Sequence, residues 1–216
     1  MASQGPNSPG TMADDATVGT TVWANPDNAK VSDNVYAGTP SDWYSSPYSD
    51  NSVKIVKSDG TLGTTDKATG DEWPSSDAYV SYGSSTDLWG ETWTAEDIND
   101  VNFGAVISGK DGYDYVYSHY LKATNFNFSI PTGATIDGIL LEVEKYATPS
   151  SGSYNLFVDH IRITVYYTEA ATGTNCQVNI GDTWKEVSAM KINIGDAWKE
   201  VASAKINIGD NWKDIF

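Results

Sequence analysis

Two histidines, His119 and His160, and 29 acidic side chains are the groups through which this 216-residue chain could do proton-transfer or metal chemistry. His160 follows Asp159 directly, and an Asp-His neighbour pair invites a triad or metal reading. Successive residues of a strand point to opposite faces, so the two side chains are expected not to converge. His119 lies between Ser118 and Tyr120 in an aromatic stretch and is read as structural. Acid pairs such as Asp71-Glu72 and Glu96-Asp97 have the residue types of a glycosidase, but so acidic a chain contains such pairs by chance. The Asp111-Gly112-Tyr113-Asp114 loop could offer oxygens to Ca²⁺; it lacks the EF-hand register and is read as a solvated acidic loop. The chain carries no serine-nucleophile elbow, phosphate loop or paired-histidine zinc motif. The expectation is therefore no catalytic residue, no metal and no cofactor.

Aromatic side chains are the richer signal. Tyrosine and tryptophan total 13 and 8. Trp43, Tyr44 and Tyr48 sit in a Ser/Pro/Tyr-rich stretch and are candidates for contact with a glycan or a protein. Trp89 and Trp93, beside a helix start, are read as core. Trp184, Trp198 and Trp212 recur at a fixed spacing of 14 residues.

That spacing belongs to a repeat. Residues 177–216 read QVNIGDTWKEVSAM, KINIGDAWKEVASA and KINIGDNWKDIF, a 14-residue unit run almost three times. Ile192 and Ile194 alternate with Asn193, Gly195-Asp196 supplies a tight reversal, and Trp198 to Val201 runs back, which predicts one small hairpin per unit. A lone two-stranded hairpin is marginal in water. Stacked hairpins would align the tryptophans, so Trp184, Ile194, Trp198, Val201, Ile208 and Trp212 are the predicted surface between copies of the chain.

Charge supports that placement. The net charge is −16, and residues 172–216 hold five lysines against six acids, a net of −1, leaving −16 − (−1) = −15 for the first 171. So acidic a body repels phosphate backbones, which argues against nucleic acid. No apolar run is long enough to span a membrane, and the first fifteen residues show neither the basic nor the apolar region of a signal peptide. The single cysteine, Cys176, excludes an intrachain disulfide and fits a reducing compartment.

The elements that would position these residues are mostly strands. Residues 1–17, rich in Gly and Pro, predict an extended arm that dangles or lies along a neighbour. Alternation around Val53 and Ile55, Ala78 to Tyr82, Val101 to Ile107, Phe126 to Ile130, Ile139 to Val143 and Phe157 to Tyr167 predicts strands. Thr94-Ala95-Glu96-Asp97-Ile98 predicts one short capped helix. The expectation is an all-β, antiparallel β-sandwich, jelly-roll-like, over residues 18–170, then a linker at 171–176 and the repeats at 177–216.

Three patches resemble a family of tailed-bacteriophage structural proteins: SQGPNSPGTMADDATVGTTVWANPDNA, YGSSTDLWGETWTAEDINDVNFG with TNFNFSIPTGATIDGI, and VDHIRITVYYT. The terminal units are similar to Ile-Asn-Ile-Gly-x-x-Trp-Lys repeats that close various phage proteins. In the family the TNFNFSIPTGATIDGI segment precedes the Trp-Gly and helix segment, whereas here it follows, which implies a permuted order. The resemblance implies a non-enzymatic virion component, made in host cytoplasm: a capsid decoration, head fibre or tail-associated protein. Its implied partners are other copies of itself and other virion proteins. A carbohydrate-binding adhesin contacting host-surface glycans is the alternative.

Overall fold

The structure, a computed structural model, describes residues 1–40, 47–112, 116–150, 153–170, 177–180, 183–186, 190–194, 197–201, 204–208 and 211–214. The chain forms two compact units, Met1–Glu169 and Ala170–Phe216. In the first, β1 (Ala2–Asn7), β2 (Thr11–Asp15), β3 (Ala37–Gly38), β4 (Ser49–Val56) and β5 (Ala78–Gly83) precede the helix α1 (Ala95–Asn99). After it come β6 (Gly104–Lys110), β7 (Tyr120–Thr124), β8 (Thr135–Ser150) and β9 (Ser153–Thr168). One antiparallel sheet has the order β1-β9-β8-β5 with β3 also on β9, and the other runs β2-β7-β6-β4. The all-β sandwich expected from the alternation is present, with one short helix.

Alternation explains the core. Ile139, Leu141 and Val143 of β8 and Ile161, Ile163 and Val165 of β9 are buried in one cluster with Val53, Ile55, Ala105, Ile107 and Leu121 of the other sheet. Trp23, Trp89, Trp93 and Phe103 join the same cluster, so Trp89 and Trp93 are core as predicted. Trp89 holds a positive φ of 58°, a backbone state that bulky residues rarely adopt. Its Nε1 donates to the Ile139 carbonyl at 3.0 Å and its backbone N–H to Asp87 Oδ1 at 2.9 Å, bonds that fix it there.

The turn at Ser58-Asp59-Gly60 forms as read: Lys57 N–H donates to the Thr61 carbonyl, and Gly60 adopts φ 82°. Helix α1 carries a full capping box, Thr94 Oγ1 accepting from Asp97 N–H while the Asp97 carboxylate accepts from Thr94 N–H.

Two expectations need correction. The N-terminal stretch is no free arm: β1 pairs with β9 from Ala2↔Tyr167 to Asn7↔Ile163, and β2 pairs with β7 from Thr11↔Thr124 to Asp15↔Tyr120. Backbone pairing, which needs no apolar side chains, holds it against its own body. The second correction is Phe126 to Ile130, which forms no strand. Asn125 and Asn127 take positive φ of 59° and 54°, breaking the extended run, yet Phe126, Phe128 and Ile130 still insert into the core.

In the second unit the repeats form three separate two-stranded hairpins: β10 (Gln177–Ile180) with β11 (Thr183–Glu186), β12 (Lys191–Ile194) with β13 (Ala197–Glu200), and β14 (Lys205–Ile208) with β15 (Asn211–Asp214). Registers are identical, Asn179↔Trp184, Asn193↔Trp198 and Asn207↔Trp212. The linker at 171–176 lies outside the described residues.

Candidate functional site

Among the described residues, those capable of chemistry gather in two places, one where β8 meets β9 and one around Lys145 of β8. The first follows from an irregularity. Glu144 faces His160 across the two strands and Lys145 faces Val158, so Asp159 is a bulged residue without an opposite number. Strict alternation fails there, and the Asp159 carboxylate comes together with those of Glu144 and Asp77, all three offering an oxygen within 4.8 Å of the others. The bulge breaks the alternation, yet Asp159 and His160 still take different partners, the Asp159 carboxylate accepting from Asp33 and Asn34 while His160 pairs with Ser8 and Tyr79.

Loop 31–36 closes over this cluster. Asp33 and Asn34 donate backbone N–H groups to the Asp159 carboxylate at 3.4 and 3.1 Å, and Tyr36 donates its hydroxyl to Asp77 Oδ2 at 3.2 Å. Asp77 Oδ1 and Glu144 Oε2 are buried with no hydrogen-bond partner. Burial, then repulsion from Glu144 and Asp159, raises the Asp77 carboxyl above the ordinary carboxylate range. Asp159 is raised as well, by burial first. Oxygen ligands from three carboxylates suit a hard divalent cation, and among the described residues these three are the ones that could hold one.

His160 belongs to the edge of this patch without joining the carboxylates. One ring nitrogen pairs with Ser8 Oγ and the other with the Tyr79 hydroxyl, both at 2.8 Å. Burial, with the nearby Arg162 cation, lowers its pKa below the usual histidine value. Arg162 in turn stacks 3.8 Å over the Tyr79 ring and grips Glu142 through two bonds of 2.9 and 3.0 Å. His119 is tied elsewhere, Nδ1 to Asp14 Oδ2 at 2.8 Å, while its carbonyl accepts from Trp23 Nε1.

The second place lies inside the sandwich. Lys145 and Asp50, 2% and 3% exposed, meet with Nζ 2.5 Å from Oδ1. Trp73 and Tyr82 surround them, and none of the four was singled out from the sequence. A charged residue on the inward side of an apolar strand is the only signal that could have found Lys145; its β4 partner, 95 residues away, leaves no local trace.

Other predicted positions fall apart. Tyr48 is in the core at 2% exposure, which removes it from any contact surface: the ring is large enough to fill the sandwich beside β4. Trp43 and Tyr44 lie outside the described residues, as do residues 113–115 of the acidic loop. In the middle hairpin Trp198 is 70% and Ile192 52% exposed. The register Ile192↔Lys199 and Asn193↔Trp198 puts these two on opposite faces. By the same parity Val201, whose N–H donates to the Met190 carbonyl at 2.8 Å, belongs with Ile192 rather than Trp198, while Ile194 holds the register position across from Ala197. In the middle hairpin the predicted interface residues therefore divide between a Trp198 face and an Ile192-Val201 face, and Trp184 and Trp212 hold the register positions equivalent to that of Trp198.

Comparison with protein families, with curated proteins and with solved structures found no match. Among the described residues no helix is long and apolar enough to cross a membrane.

Proposed function

We propose that the protein is a structural component of a phage virion, a capsid decoration, head fibre or tail-associated protein, whose terminal hairpins join copies of the chain. The observation that carries this reading is the middle hairpin. It has described apolar groups on both faces, Trp198 and Ile192, and leaves both in water. Two-stranded hairpins are marginal alone, and exposed tryptophan recovers free energy only when covered. A second copy of the same near-neutral segment is the fitting cover, because the remainder of the chain is strongly acidic and self-repelling.

The polar groups of the body support a structural role as well. Both nitrogens of His160 are occupied by Ser8 and Tyr79, and Asp14 holds His119, so both histidines serve as ties between segments distant in sequence. The glycan-binding reading loses Tyr48 to the core.

The test is the mass of the native protein by light scattering. The full chain should be an oligomer, and a chain ending at Ala171 should be smaller in copy number with its sandwich intact. A full-length protein that stays monomeric at high concentration overturns the proposal.

A further inference from the structure

The Lys145 and Asp50 pair is built like a reaction site. The two residues belong to different sheets, Lys145 to β8 and Asp50 to β4, and both are withdrawn from water. Nζ stands 2.5 Å from Oδ1, so the amine and the carboxyl are held in contact. Both oxygens of the carboxylate have a further partner suited to acyl chemistry. Trp73 Nε1 donates to Oδ1 at 2.8 Å, where negative charge would develop on attack at Cγ. The Tyr82 hydroxyl lies 2.5 Å from Nζ and 2.7 Å from Oδ2, bridging the nucleophile and the oxygen that would leave. The Trp73 ring lies 4.4 Å from Nζ and walls the amine on one side.

We propose that Lys145 and Asp50 join after folding through an intramolecular isopeptide bond from Nζ to Cγ, linking the two sheets covalently. The step balances within the site. In a dry environment the ammonium passes one proton to the carboxylate, giving an amine and a carboxylic acid. Burial favours that transfer, pulling the Lys145 ammonium below its ordinary pKa range against the opposing pull of Asp50. The amine lone pair then attacks Cγ, and Oδ1 takes up the charge under the Trp73 N–H. Tyr82 moves a second proton from nitrogen to Oδ2, which departs as water. The third ammonium proton remains on the amide nitrogen. No oxidant, nucleotide or other reactant is required, and fixed proximity replaces the activation that free amines and acids need.

This inference does not rest on the virion reading. Its test is the intact mass of the full-length chain under denaturing conditions, with allowance for removal of Met1. The expected mass is that of the sequence less one water, and peptide mapping should recover one branched species containing Asp50 and Lys145. K145M and D50A should carry the full mass. Y82F, which keeps both reacting groups, should lose water about a hundredfold more slowly after refolding. Wild-type protein at the full sequence mass overturns the proposal whether or not the variants fold. So does a water loss that maps to Asp59-Gly60, Asp111-Gly112 or Asp137-Gly138, where an Asp-Gly pair closes on itself as a succinimide.

Discussion

Glu144 faces His160 across the β8 and β9 ladder while Asp159 faces nothing, and this single extra residue assembles the acidic cluster. The cluster costs stability at neutral pH because Asp77 and Asp159 are both held above the ordinary carboxylate pKa. Between the ordinary carboxyl value of 3.8 and the raised folded value, the native state binds more protons than the unfolded chain. Stability from this source therefore rises as pH falls through the folded pKa. Asp77→Asn should raise Tm by about 2–4 °C at pH 7, since the amide can still accept from Tyr36 and offers N–H to the unpartnered Glu144 oxygen. The gain should vanish in acid, where wild-type Asp77 is already protonated. Calorimetry of both proteins from pH 7 to about pH 4 checks this.

His160 titrates in the opposite sense. Its folded pKa is lowered from 6.5, so the unfolded chain takes up the proton first. The stabilisation is complete above pH 6.5 and is lost as pH falls from there toward the folded pKa. His160→Gln should flatten the stability profile across that window while keeping a hydrogen-bonding group toward Ser8 or Tyr79. Denaturant melts at several pH values give the slope directly.

The first ten residues should behave as a strand and not as an arm. Beyond the ladder with β9, Asn7 Nδ2 donates to the Phe126 carbonyl and Gln4 Oε1 accepts from Ser129 N–H, both at 2.9 Å. At about 1 kcal/mol net per hydrogen bond, removing residues 1–10 should cost several kcal/mol and lower Tm by about 10 °C. The oligomeric state should not change. Thermal melts and light scattering on the same truncated chain separate the two effects.

What the sequence showed of the fold was whatever side-chain alternation and turn chemistry encode. Ile139 to Val143, Ile161 to Val165, the Asp59-Gly60 turn and the Thr94 cap were readable because each depends on neighbours a few residues away. The pairing of β1 was not, because Ala2 to Asn7 is held by backbone bonds and carries no apolar signature. The bulge at Asp159 was hidden for a related reason: a register shift is a property of two paired strands and is written in neither one alone. Lys145 and Asp50 meet across 95 residues of chain, so no local spacing announces them.

The Thr94 cap offers a local calibration. Thr94→Ala removes the acceptor for Asp97 N–H and one donor to the Asp97 carboxylate. The loss should be about 1 kcal/mol, read as a shift in the denaturation midpoint with unchanged slope. Asp97→Ala should cost more, because Ser58 Oγ also donates to that carboxylate at 2.7 Å and ties the helix to the turn after β4.

The two faces of the hairpins make separable predictions for association. If tryptophan alone mediated contact, Trp198→Ser would weaken self-association and Ile192→Ser would not. The register distributes apolar groups on both sides, with Trp198 70% and Ile192 52% exposed, so a hairpin covered by another must hide one face and present the other. Each substitution should then weaken association about tenfold, since losing even half of a large apolar contact is worth 1 kcal/mol or more. The Trp198→Ser and Ile192→Ser effects should add, because faces on opposite sides of a strand share no contacts. Neither should move the unfolding of the sandwich, which belongs to the other unit. Sedimentation equilibrium of the two single variants and the double variant, beside thermal melts, distinguishes a two-faced stack from a one-faced dimer.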